Sequence, residues 1–384
     1  MVRTFPDFKL SISINGSHQA AGVVIHGGPA NHARMQAHFA ALNLAYCVDV
    51  QPGPVAGACT YRLQETYRQR WLPDADTTHL CADLQLDTEH DTDDLEREIL
   101  LTLLINPLRF DYPSFDDFAS AVRVRKGIVV AARRTALAFD TSLAAERPED
   151  CWTYSIDTGF VVLPGQSLID SLRKASQPEV SGKLYAFSCY RATEYVLLLA
   201  IAEELERIRP ADLARLQRQW QTHAIASGRF HDTFLVEYGS MEQPLPPSYY
   251  VPGDRVWFRN PDEASSDASG FEGSWVFYLG NGLFSNFWKR DAPFTLRSKC
   301  LEVYHWRHGT YLDAEGELRI NETIVEERVR QTLQDPAQCE AIVAQMMRLR
   351  EPKGVYQNGG CIDTSRECVR PLGPSAPALV LPDA

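Results

Sequence analysis

The sequence predicts an α+β protein. Helical patterns dominate up to about residue 250, and from Gly253 onward the pattern turns β-rich. At the centre of the chain a short strand-like run, Leu184 to Phe187, meets Ser188 and then Cys189, which opens a strongly apolar helix running through Tyr195, Ile201 and Leu205. Helices, then a cysteine-led helix, then an antiparallel sheet is the predicted order.

The elements follow in turn. Residues 1 to about 95 read as short mixed elements: a buried strand at Ala21–His26, an amphipathic helix from Asn31 to Leu42, and a strand from Leu44 to Val50. His26-Gly27-Gly28 reads as turn chemistry, because no G-x-S-x-G follows that would make it an oxyanion loop. The acidic run Asp87–Asp94 caps a helix from Leu95 to Leu104 and lacks the glycine and spacing of a calcium loop. Ser114 is a candidate N-cap, with Asp116 and Asp117 in the first turn of a helix carrying Phe118, Val122 and Ile128. Two strands follow, Cys151–Ile156 and Gly159–Leu163, then a helix at Ser167–Ser176 and a loop at Pro178–Lys183. The Cys189 helix runs to about Arg209, where Pro210 breaks it, and Ala211–Ala226 is helical again. Beyond the Pro-rich 244–252 stretch, strands are expected at Asp254–Asn260, Ser274–Leu279, Leu283–Trp288 and Leu301–Tyr311. Ile324–Leu333 and Gln338–Leu349 close as helices. The Pro- and Gly-rich end reads as a surface tail.

Composition narrows the function. The 384 residues are 45% hydrophobic and 23% charged, ordinary globular usage, with a net charge of −12. That acidity argues against nucleic acid or anionic lipid as the main partner. No window approaches the roughly 18 apolar residues of a membrane span. No signal-peptide core follows Met1, so a cytoplasmic location is the default, with export by a non-classical route left open. Nine scattered cysteines form no disulfide framework or zinc spacing. Cys361 and Cys368 are close enough in sequence to bridge under oxidising conditions, though free thiols are the default. No cofactor is expected, since no phosphate-cradling Gly-rich loop or metal cluster is apparent.

Cys189 carries the chemistry. A thiol at a helix N-terminus meets unpaired N–H groups and the positive end of the helix dipole, which favours the thiolate. The same position also suits a buried core cysteine. Papain-like cysteine enzymes place the nucleophile at a helix start and its base on the packed sheet, and the element order here matches that logic.

Several segments together resemble the small bacterial protein-glutamine γ-glutamyltransferases, the spore-coat type of transglutaminase. They are Phe110-Asp111-Tyr112, Lys126–Ala132, Leu184–Cys189, Gly253–Asp262 and Gly273–Gly280, in the family's order over about residues 105–350. The resemblance implies a papain-like core at 101–350, an accessory N-terminal α/β region at 1–100 and a surface tail at 351–384. Cys189 matches the family's nucleophile. The family's glutamates fall at Ser188 and Ser274, and its histidine falls near Asn286 and Phe287.

Two residues stand as replacements. Glu272 lies two residues before Ser274, so a slip or bulge at Gly273 would bring it into the missing glutamate's place; otherwise it is a solvated strand-end carboxylate. His305 shares a strand face with Leu301 and Val303, as either a core histidine or the base facing Cys189. The implied activity is acyl transfer from a glutamine carboxamide to an amine through a Cys189 thioester. A protein bearing Gln and Lys side chains would be its partner, and its oligomeric state is left open. Two alternatives remain: a papain-like amidase, deamidase or protease, of the kind used as an effector, and a non-catalytic binding protein on a transglutaminase-like fold.

Overall fold

A computed structural model describes residues 21–138, 145–351 and 360–382. Its larger sheet is antiparallel and has six strands. Its smaller sheet is built from β1 (Val23–Ile25), β2 (Val48–Pro52), β3 (Cys59–Leu63) and β4 (Phe110–Tyr112), in the order β2-β3-β1-β4. Only β1 and β4 run parallel in it. The hairpin β5 (Trp152–Ser155) and β6 (Gly159–Val162) stands apart.

The six-stranded sheet uses β7 (Leu235–Tyr238), β8 (Arg255–Arg259), β9 (Gly273–Gly280), β10 (Leu283–Phe284), β11 (Phe294–Thr295) and, after the hairpin β12 (Thr310–Leu312) and β13 (Leu318–Ile320), β14 (Arg366–Val369). Their order is β11-β10-β9-β8-β14-β7. Mixed helices and antiparallel strands make the protein α+β.

Local chemistry explains the helix starts. Asp91 accepts from the Asp93 and Asp94 amides to open Thr92–Leu104, and Ser114 accepts from Asp117 to open Phe115–Arg134. Ser188 does the same for Cys189–Ile208 through the Arg191 amide, at 3.2 Å. Pro210 ends that helix by starting the next, Pro210–Thr222.

Four expectations need correction. Leu301 does not begin a strand: Leu296–His305 is a helix, followed by a 3₁₀ turn, and only Thr310–Leu312 is extended. Thr295 and Ser298 form a reciprocal capping box that starts the helix. Over five residues an alternating pattern cannot be told from one helix face, and the cap decides. The surface tail expected at 351–384 does not hold for residues 360–382, the described part of its C-terminal stretch, because β14 lies inside the sheet between β8 and β7, with Cys361 and Ile362 buried before it. Its Pro and Gly residues flank the strand, and within the fold Glu367 pairs with Arg255 while Arg366 Nη1 donates to the Asp363 carbonyl. Cys361 is not placed to meet Cys368. It sits 3.7 Å, sulfur to sulfur, from Cys300, whereas Cys368 pairs across from Val236 in β14. Residues 178–181 form a short helix rather than a loop.

The boundary drawn at residue 100 falls inside Thr92–Leu104, with no packing seam there. One apolar cluster runs continuously from Val23 and Ile25 through Leu100 and Leu103 to Val196, Ile201 and Phe277. A second cluster, with Val256, Phe258, Val276, Tyr278, Cys300, Leu301 and Ile362, lies on the sheet's opposite side. Glu98 ties the N-terminal region to the sheet: its buried carboxylate accepts from the Tyr278 hydroxyl at 3.0 Å and the Asn281 amide at 3.0 Å. A side chain at Gly280 would strike that carboxylate at 2.3 Å, and its φ of +87° also favours glycine. No helix among the described residues is long and apolar enough to cross a membrane.

Candidate active site at Cys189

Cys189 is the first residue of its helix and is half-buried. Burial pushes its thiol pKa up. Four groups oppose that shift: the Trp275 main-chain N–H, Lys299, the Tyr190 main-chain N–H, and Arg255. Two amide donors and two cations therefore act on the sulfur.

The ladder explains how Trp275 reaches it. Phe277 exchanges hydrogen bonds with Ser285, its N–H donating to Oγ at 2.9 Å and its carbonyl accepting from the Ser285 amide at 2.9 Å. Phe277 thus points its main-chain groups away from β8. Trp275, two residues earlier, points the same way, leaving its N–H for the sulfur. Side-chain alternation then sorts the sheet's faces. Arg255, Trp257, Trp275 and Phe277 share the face towards the Cys189 helix, and Val256, Phe258, Ser274 and Val276 share the other. Trp257 stacks on Trp275 with ring centres 5.8 Å apart. Gly273 makes room for this stack, since a Cβ there would lie 2.2 Å from the Trp257 indole nitrogen.

The cations come from two elements. Lys299, on Leu296–His305, is 1% exposed; its ammonium lies 3.2 Å from Glu302 Oε2 and 3.8 Å from the Phe294 ring centre. Arg255, on β8, is also 1% exposed and is paired with Glu367 Oε2 at 2.7 Å.

The other sequence candidates stand elsewhere in the hydrogen-bond network. His305 is buried, with Nδ1 2.9 Å from His308 Nδ1 and Nε2 2.8 Å from Thr332 Oγ1. Burial, reinforced by His308 and the nearby arginines, lowers its pKa to about 4, so the ring is neutral at pH 7. Its face assignment rested on a strand, and the segment is helical. Glu272 is exposed ahead of β9, its carboxylate 3.4 Å from the Gly270 amide. Ser188 is the helix cap, and Ser274 faces away from the Cys189 helix. Asn286 holds a turn, donating to the Ala292 carbonyl and accepting from the Lys289 amide.

The family model for protein-glutamine gamma-glutamyltransferase matches residues 76–363, three quarters of the chain, and spans Cys189, Arg255 and Lys299. The chain belongs to the protein-glutamine gamma-glutamyltransferase family. The transglutaminase match begins within the region read as accessory and stops just before β14. No curated protein matches the sequence. Among solved structures, a transglutaminase from Geobacillus stearothermophilus, without its C-terminal extension, is 20% identical. It covers 56% of this chain and 98% of its own, with a TM-score of 0.37.

Sequence reasoning missed both cations that act on Cys189. Arg255 lies within the quoted segment Gly253–Asp262, and its place among alternating aromatics was the available signal. Lys299 carried none, because its segment was not read as a helix.

Proposed function

We propose that the protein is a cysteine-dependent acyltransferase of the transglutaminase type, with Cys189 as nucleophile. The observation that carries this reading is a thiol at the first residue of a helix, whose burial-driven upward pKa shift is opposed by two main-chain N–H groups and two buried cations. A helix-start cysteine packed against an antiparallel sheet is also the papain-like arrangement.

The Cys189 thiolate attacks the γ-carbonyl carbon of a glutamine side chain. The amides of Trp275 and Tyr190, which face the sulfur, are the donors for the oxyanion that forms beside it. Collapse breaks the C–N bond, and ammonia leaves with the proton that the thiol gave up. A lysine amine then attacks the thioester carbonyl, forming an isopeptide bond and releasing the thiol. If water attacks instead, the product is glutamate.

A second reading has its own observation. The strongest influences on the sulfur include neither an imidazole nor a carboxylate, as expected of a family fold kept for binding. One assay separates the readings: ammonia release from a glutamine-bearing protein, with and without a fluorescent primary amine. The transferase reading predicts ammonia release together with amine incorporation. Ammonia release without incorporation indicates a deamidase. The absence of both, with Cys189 inert to iodoacetamide, indicates the binding protein.

A further inference from the structure

Arg255 does more than add charge near the sulfur. Its guanidinium lies 4.4 Å from the centre of the Tyr190 ring and 4.0 Å from that of Trp275. Those two residues supply the main-chain N–H groups directed at Cys189. The planar cation therefore joins the first turn of the Cys189 helix to β9 at the point where both contact the nucleophile.

Arg255 is itself held on several sides. Nε donates to Thr193 Oγ1 at 2.9 Å, one turn along the Cys189 helix, and Nη1 donates to Glu367 Oε2 on β14 at 2.7 Å. His231, from the Ser227–Phe234 helix, lies 3.2 Å from the other Glu367 oxygen. Arg191 and the buried Glu194 form a further pair, 2.7 Å apart, on the Cys189 helix. Arg255 Nη2 has no hydrogen-bond partner among the described residues, so Glu367 does not use the whole cation.

We propose that Arg255 is a positioning residue for the nucleophile, seated by Glu367 and His231, which fixes the Trp275 and Tyr190 amides against Cys189. This rests on the reading of Cys189 as the reactive thiol.

The test is the pH dependence of Cys189 alkylation by iodoacetamide in the full chain, located by peptide mass spectrometry. Arg255→Met is expected to raise the midpoint by about one pH unit or more and to slow alkylation at pH 7 about tenfold. Arg255→Lys keeps a charge but cannot lie flat between the rings, so it is expected to restore the rate only in part. Glu367→Gln leaves Arg255 in place but unseated and is expected to shift the midpoint by a smaller amount; it serves as the second variant if Arg255→Met does not fold. An unchanged midpoint in folded Arg255→Met, or in Glu367→Gln where Arg255→Met does not fold, overturns the inference while leaving Cys189 reactive. A Cys189 that resists alkylation in the unaltered protein overturns the nucleophile reading itself, and this inference with it.

Discussion

Lys299 and His305 stand on one helix, six residues apart, and serve different parts of the molecule. Six residues at 3.6 per turn carry a side chain about 240° around the axis. Lys299 acts on the Cys189 sulfur, while His305 turns to Thr332 and His308. The sheet shows the same division. Its face towards the Cys189 helix carries Arg255 and the stacked tryptophans, and its other face packs Val256, Phe258 and Val276. The difference teaches that the groups lowering the Cys189 pKa are cations and amides, whereas the His305 imidazole works as a core residue.

The sharpest way to break this comparison is Cys189→Ala. Amine incorporation should fall by ~10³-fold or more, as removal of a covalent nucleophile does, measured with the fluorescent amine.

His305→Gln should act on stability instead. The His305 pKa is about 4 in the folded protein against an ordinary 6.5, so the fold disfavours its proton. Its contribution is complete above pH 6.5 and is lost as pH falls towards 4. By linkage that loss is about 3 kcal/mol. Urea unfolding at pH 7 and pH 4.5 should show the pH dependence flattened in His305→Gln, with part of it retained through His308, whose pKa is also lowered by burial.

Gly273→Ala should disturb only the thiol side of the sheet. The added Cβ meets Trp257 Nε1 and the Phe258 carbonyl, at 2.2 and 2.6 Å. A cost of about 1–3 kcal/mol is expected from such overpacking, with slower Cys189 alkylation as Trp275 is displaced. Chemical denaturation and alkylation rates check both effects. Glu272→Gln should have the smallest effect, leaving amine incorporation within about twofold, because an exposed carboxylate at a strand end contributes little.

Much of the architecture was legible in the sequence. Ser114 announced its helix because a cap is a local device. The cap at Ser188 is what the structure adds, whereas the helix start at Cys189 was legible from the apolar run behind it. The partners of Cys189 were not, since they arrive from elements distant in sequence. Lys299 acts on the sulfur from a helix that Thr295 starts just ahead of where alternation suggested a strand. β14 was hidden because Pro and Gly around it mimic a tail, while its neighbours β7 and β8 come from more than a hundred residues earlier. Ser274 shows the limit of motif reading: the strand of the family resemblance is present, but the residue at the glutamate position faces away from the thiol.

The most direct test of the central claim compares the pH profile of Cys189 alkylation in Lys299→Met and His305→Gln. If buried cations activate the thiol, Lys299→Met raises the midpoint by about one pH unit and His305→Gln leaves it unchanged. A midpoint that moves in His305→Gln and stays fixed in Lys299→Met would contradict the account.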